Sequence, residues 1–319
     1  MRAARITELG RPPQPAEVDG VEAGDGRALV EVAAVALNPI DLAIGAGRFY
    51  GGHPDLPYVP GSEAVGRVVA APSLGEGIRV YVGGGGLGLT RDGTLSERVA
   101  VDEDQAYPLP GGIDDAQAVA AGIAGIAGWM PVAWRAPVQE DDRVLVLGAT
   151  GTVGSIAVQG AKLLGAARVV AAGRDAARLG RVKELGADET VKLDGGDHAE
   201  AVTKAFGGEG PTLIVDPLWG EPLASVLAAA APGARVVHLG QSAGPEATLR
   251  SADVRGKGLN VLGFSIFALT PEIKRAGYLQ LVEHIAAGRI EIDLETFSLE
   301  RVADAWQAQA SGAKAIVEL

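Results

Sequence analysis

Arg143-Val144-Leu145-Val146-Leu147-Gly148-Ala149-Thr150-Gly151-Thr152-Val153-Gly154 opens the stretch that decides the fold. Its first five residues are apolar and branched behind one arginine, and glycine ends them, the pattern of a strand buried on both faces. Small or apolar residues then recur at Val153, Ile156, Ala157, Gly160, Leu163 and Leu164, which lines one face of a helix. Strand, glycine turn and helix follow without a gap. That order brings backbone N–H groups and the positive end of a helix dipole to one point, where a pyrophosphate is held without side-chain charge. A side chain at Gly151 would block the phosphate, and one at Gly154 would hold the helix off the strand. The expected phosphate contacts are Ala149, Thr150, Gly151, Thr152 and Val153. Ala149 stands where the dinucleotide fingerprint has its first glycine, and Gly148 lies one residue earlier.

A second unit strengthens the reading. Residues 168–172 form another apolar strand, and Gly173-Arg174-Asp175 ends it, roughly 20 residues beyond the glycine turn, where NAD-selective sites carry a ribose-binding acid. Here a glycine replaces the acid and a guanidinium follows, which suits a 2'-phosphate and predicts NADPH. Gly173, Arg174 and Arg178 are the expected contacts. A shift of one residue would make Asp175 the ribose acid instead.

The remaining sequence bounds the function. Forty acidic against 28 basic residues give a net charge of −12 over 319 residues. With a pI near 4.9 and no basic cluster, nucleic acid and anionic membrane are poor partners. Cysteine is absent, which removes disulfides, thiolate catalysis and cysteine-ligated zinc. The first ten residues lack a secretory pattern, so a soluble cytoplasmic protein is expected. Residues 116–134 carry no formal charge, yet their glycines, Gln117 and Pro131 make a poor membrane span. A buried helix between domains is the expectation there.

Before residue 115 the chain reads as short strands and turns, with strands at 27–36, 63–71, 78–82 and 95–101. After it, a helix at 176–185 and strands at 189–192, 212–216 and 235–239 alternate with an alanine-rich helix at 223–231, which makes a doubly wound sheet with its ligand at the switch point. A helix at 278–287, a strand at 292–296, a helix at 301–311 and a closing strand at 315–319 complete the expected elements. Gly83-Gly84-Gly85-Gly86-Leu87-Gly88 has no helix behind it and reads as a loop, not a phosphate cradle.

At Asn38-Pro39-Ile40-Asp41 and Val59-Pro60-Gly61-Ser62-Glu63-Ala64-Val65-Gly66, the chain resembles the medium-chain dehydrogenase/reductase superfamily, in its quinone oxidoreductase branch. The match continues through Gly93-Thr94-Leu95-Ser96-Glu97, the glycine turn and Lys183-Glu184-Leu185-Gly186-Ala187-Asp188-Glu189, in the family's order. The resemblance implies an α/β protein, with a GroES-like β-rich catalytic domain at 1–115 and 258–319 and a Rossmann NADPH-binding domain at 116–257. It implies further cofactor contacts at Gly240, Gln241, Phe264 and Ser265, with backbone groups at Gly240 and Phe264 fixing the carboxamide. Residues 260–264 resemble the edge strand that pairs across family dimers, so a homodimer is expected.

Zinc-containing relatives use a cysteine and a His-Glu pair where this chain carries Asn38 and Ser62-Glu63, and the four histidines are scattered, so no metal is expected. Without a Lewis acid, the chemistry natural to the scaffold is hydride delivery to an already electrophilic acceptor. The resemblance places Asn38 near the nicotinamide and a tyrosine in the next loop; Phe49 holds that register and Tyr50 follows, which makes Tyr50 the candidate hydroxyl. Asn38 reads equally as an ordinary turn residue, and Asp41 reads first as the cap of the helix at 42–46. Ala127 replaces a family threonine, and Trp129 and Met130 read as core. The expected function is a zinc-independent NADPH-dependent reductase acting on a quinone-like small molecule. The alternatives are an enoyl reductase for an α,β-unsaturated ketone or thioester, and a catalytically silent NADPH-binding sensor.

Overall fold

The computed structural model describes residues 1–24 and 26–319. They form two compact units, one of residues 1–124, 271–287 and 292–319, the other of residues 125–270 and 288–291. The expected domain limits were 115/116 and 257/258.

In the first unit, strand Arg27–Ala36 is the centre. Its branched residues leave Ala28, Val30 and Val35 fully buried. Glu63–Ala70 and Arg98–Asp102 pair with it antiparallel, and Arg79–Gly83 and Ala106–Pro108 extend the sheet. On the other side Ala315–Glu318 joins antiparallel, in register Val317↔Val35, and Glu295–Ser298 follows it in parallel. Gly66 is required where two strands meet, because a Cβ there would lie 2.1 Å from the Glu31 carbonyl oxygen. Two short strands not expected from the sequence, Arg2–Arg5 and Gln14–Glu17, make a separate pair.

The second unit is the doubly wound sheet. Its six strands are all parallel, in the order Glu189–Lys192, Arg168–Gly173, Arg143–Val146, Leu213–Asp216, Arg235–His238, Asn260–Gly263. Chain order reverses between Arg143–Val146 and Leu213–Asp216, so the carboxyl ends of these strands border the ligand crevice typical of such sheets. Helix Thr152–Leu163 covers one face with Gly154, Ile156, Ala157 and Gly160 buried. Trp129 is fully buried, and a Cβ at Gly160 would stand 3.1 Å from its ring, so this aromatic is core as expected.

The uncharged stretch is a helical run, Asp115–Arg135, with 72% of its most apolar window buried. It is not a regular α-helix. Gly122 breaks it with ψ −115°, and two segments have π geometry. Strand Glu295–Ser298 begins three residues later than expected, because the Ile292 carbonyl accepts from Gln117 Nε2 and pairing starts at Glu295. Helix Pro271–Ala286 begins seven residues earlier than expected, from a proline suited to a first turn.

Candidate functional site

The glycine turn has the geometry of an anion cradle. Gly148 adopts φ +60°, and a Cβ there would meet Leu218 Cδ2 at 2.9 Å. The Ala149 N–H donates to the Ala172 carbonyl and the Gly151 N–H to the Gly148 carbonyl, which fixes the loop against the sheet. Gly151 is the cap residue of helix Thr152–Leu163 and has extended backbone. The first N–H groups of that helix, at Thr152 and Val153, have no acceptor within it. The two later glycines differ in kind. A Cβ at Gly154 would lie 2.4 Å from the Gly148 carbonyl oxygen, whereas one at Gly151 would find that oxygen at 3.6 Å and nothing else within 4 Å. Gly154 serves helix packing; Gly151 borders open space, as a group that must admit a phosphate would.

Beyond strand Arg168–Gly173, Arg174 is exposed. Asp175 caps helix Ala176–Glu184: its Oδ1 accepts from the N–H groups of Ala177 at 2.9 Å and Arg178 at 3.1 Å, and its Oδ2 lies 3.8 Å from Arg178 Nε. The acid that one residue of misregister would assign to a ribose is thus engaged by the helix. Buried Gly173 sits against Thr150, whose Cγ2 would be 2.8 Å from an added Cβ.

At the far side of the same sheet edge, Gly240 lies so close to Pro217 that a Cβ would be 2.6 Å from its carbonyl oxygen. The Phe264 N–H donates to the His238 carbonyl at 2.8 Å, so this N–H is engaged within the protein. Gln241 is exposed, and Ser265 accepts from the Phe267 N–H as a cap.

The first unit holds a buried polar cluster. Asn38 is fully buried; its Nδ2 donates to Glu63 Oε1 at 2.7 Å and the Ala36 carbonyl at 3.2 Å, and its Oδ1 accepts from Lys314 Nζ at 2.9 Å. Lys314 also donates to the Leu37 carbonyl, and lies 3.8 Å from Glu63 Oε1. Glu63 Oε2 accepts from Tyr81 Oη at 2.8 Å and from the Ile123 N–H at 2.6 Å. The break at Gly122 makes that last contact possible, since a Cβ there would overlap Glu63. Asp41 closes the cluster, accepting from the Asn38 N–H and from Ser62 Oγ at 2.6 Å. Burial pushes its carboxyl up to about 6, against the lowering effect of those hydrogen bonds. Burial likewise lowers the Lys314 ammonium, with Glu63 and Asp41 opposing.

Tyr50 lies elsewhere on this unit, 94% exposed and with its ring centroid 4.5 Å from that of Phe49. The structure does not join it to Asn38 by a hydrogen bond. Sequence reasoning missed Lys314 and the part played by Glu63 and Tyr81. A lone lysine before a closing strand is an ordinary surface residue until the sheet register turns it inward.

The alcohol dehydrogenase GroES-like domain model matches residues 24–111, and the zinc-binding dehydrogenase model matches residues 152–284. A putative quinone oxidoreductase, YhfP of Bacillus subtilis, is 32% identical over 228 residues, covering 70% of this chain and 68% of its own length. The chain belongs to the medium-chain dehydrogenase/reductase superfamily, in its quinone oxidoreductase-like group. A phenolphthiocerol/phthiocerol polyketide synthase of Mycobacterium tuberculosis is 31% identical over 297 residues; these are 89% of this chain, which spans only 13% of that protein's length. Among solved structures, an NAD-dependent alcohol dehydrogenase superposes with a TM-score of 0.90 at 27% identity, with both chains covered completely.

This chain does not carry the donors that the zinc-binding dehydrogenase model's name implies. Asn38 Oδ1 accepts from Lys314 Nζ, which also lies 3.8 Å from Glu63 Oε1, so an ammonium already stands against the positions a cation would use. Among the described residues no three His, Asp or Glu side chains converge to hold a metal. The donor set does not fit zinc.

Proposed function

We propose that this oxidoreductase is a zinc-independent reductase that uses NADPH and acts on a quinone-like acceptor. Arg174 carries the cofactor reading. It is exposed where a 2'-phosphate would be read, Gly173 leaves no acid on the strand end, and Asp175 is committed to its cap. The phosphates lie on the N–H groups of Thr152 and Val153 beside Gly151, with Ala149 and Thr150 shaping the turn and Arg178 adding positive charge. Gly240, Gln241, Phe264 and Ser265 hold the nicotinamide end. When bound, NADPH supplies a hydride from the nicotinamide ring.

The buried ammonium of Lys314 favours an acceptor that is electrophilic through its own conjugation, because no Lewis acid has a seat beside Asn38. Tyr50 is the exposed hydroxyl on the acceptor side. Asn38, with both amide hydrogens engaged, acts as a positioning residue for Glu63 and Lys314. The protein is a cytoplasmic homodimer in this reading.

Identity to a segment of a polyketide synthase favours one second reading, reduction of an α,β-unsaturated ketone or thioester by the same hydride chemistry. Oxidation of NADPH and NADH by metal-free protein, with a simple quinone and then an enone, separates the readings. NADPH-selective turnover of the quinone is the expected result; turnover of the enone alone moves the assignment to enoyl reduction. Tight NADPH binding with neither acceptor reduced identifies a sensor.

A further inference from the structure

Reduction of a conjugated acceptor needs a proton as well as a hydride, and neither Tyr50 nor the buried cluster of the first unit is an obvious source. The second unit contains an unassigned group of the right chemistry. Asp216 ends strand Leu213–Asp216 and is fully buried. Its Oδ1 accepts from the N–H groups of Leu218 and Trp219, both at 2.9 Å, and its Oδ2 lies 3.3 Å from Nδ1 of His238, its partner in the sheet register. The imidazole is 29% exposed. Trp219 covers it, with ring centroids 4.1 Å apart.

Trp219 also has φ +59°, the one non-glycine residue in the left-handed region among those described. Such a backbone costs on the order of 1–3 kcal/mol and persists only where surrounding contacts hold it. Here the Asp216 carboxylate holds its N–H and the imidazole holds its ring. The whole assembly stands at the carboxyl ends of two adjacent strands next to the switch point, two residues before Gly240.

We propose that His238, oriented by Asp216 and covered by Trp219, is the proton donor of the reduction. This rests on the reductase reading above. Asp216 fixes the proton on Nδ1, which leaves Nε2 to carry the transferable one. After hydride addition the acceptor holds an electron pair on the carbon or oxygen that ended the conjugated system. The Nε2–H bond breaks, its proton goes to that atom, the bonding pair stays on the ring, and neutral imidazole regains a proton from solvent. Among the described residues, Asp216 is the charged group that meets the ring. Burial raises the Asp216 carboxyl, against the lowering by the two turn N–H groups and His238.

The test is nitrogen NMR of histidine-labelled protein, with His238→Gln to assign the resonance, alongside enone reduction across pH. Nδ1 is expected to carry a proton in the parent protein, and the Nε2 resonance to move when NADP⁺ is added. His238→Gln is expected to lose 10- to 1,000-fold in turnover together with the pH dependence, and to bind NADPH within twofold of the parent by fluorescence. Asp216→Asn should scramble the tautomer. An unchanged rate and pH profile in His238→Gln, with NADPH still bound, overturns the proposal and spares the reductase reading. Failure of the parent protein to bind NADPH overturns both. An unprotonated Nδ1 in the parent protein overturns the assignment even if the variants do not fold.

Discussion

Arg174 makes the cofactor question a one-residue experiment. Arg174→Ala should weaken NADPH binding by 10-fold or more and leave NADH binding within about twofold, because only the former carries the phosphate that a guanidinium holds in charge-assisted bonds. Equal losses in fluorescence titration would remove Arg174 from the site. Asp41 and Lys314 give two stability predictions. The folded Asp41 carboxyl titrates near 6 against an ordinary 3.8, so the folded state binds that proton more tightly than the unfolded chain. Its contribution is therefore full below pH 3.8 and lost as pH rises through 6. Asp41→Asn should flatten the stability profile over that window by about 3 kcal/mol, seen in urea melts at several pH values; Asn38, Ser62, Tyr58, Glu63 and Lys314 surround the group and must be kept intact. Lys314→Met removes one partner of a buried ion pair and should destabilise by about 3–5 kcal/mol, partly restored by adding Glu63→Gln. A shift in stability below about 0.5 kcal/mol would show the pair to be idle.

At the scale of elements, the two helix-start glycines separate folding from binding. Gly154→Ala drives a methyl into the Gly148 carbonyl and should cost about 1–3 kcal/mol of stability. Gly151→Ala has room within the protein, so its melting should move little while NADPH affinity falls at least 10-fold; the reverse pattern would mean that the phosphate lies elsewhere. Most of this unit was legible in the sequence because a buried parallel strand and a helix on it leave strong, local patterns. Arg143–Val146 and Thr152–Leu163 are of that kind. The pair Arg2–Arg5 and Gln14–Glu17 was not legible, since four-residue strands with polar faces carry no period. Nor was the π geometry after Gly122, which depends on a carboxylate 60 residues away claiming the Ile123 N–H. The polar cluster was half visible: Asn38 and Asp41 belong to a motif, but Lys314 joins them only through the pairing of Ala315–Glu318 with Arg27–Ala36.

For the whole molecule, assembly is the question that the sheet itself poses. Asn260–Gly263 is the outer strand of the six, with Val261 41% exposed, and an outer strand is a template for another chain. Pairing about a twofold axis through that strand would give a particle of twice 32.4 kDa by light scattering. Val261→Lys should shift it to the monomer, and a parent protein that is monomeric at micromolar concentration would rule the pairing out.

The ammonium inside the first unit also sets an order of events during synthesis. Asn38 and Glu63 emerge from the ribosome early, and their partner follows some 250 residues later. Until residue 314 is delivered, the carboxylate lacks its ion-pair partner and strand Arg27–Ala36 lacks one of its neighbours. The β-rich unit therefore closes after the parallel-sheet unit, whose strands are nearly contiguous in the chain and free to settle in the interval.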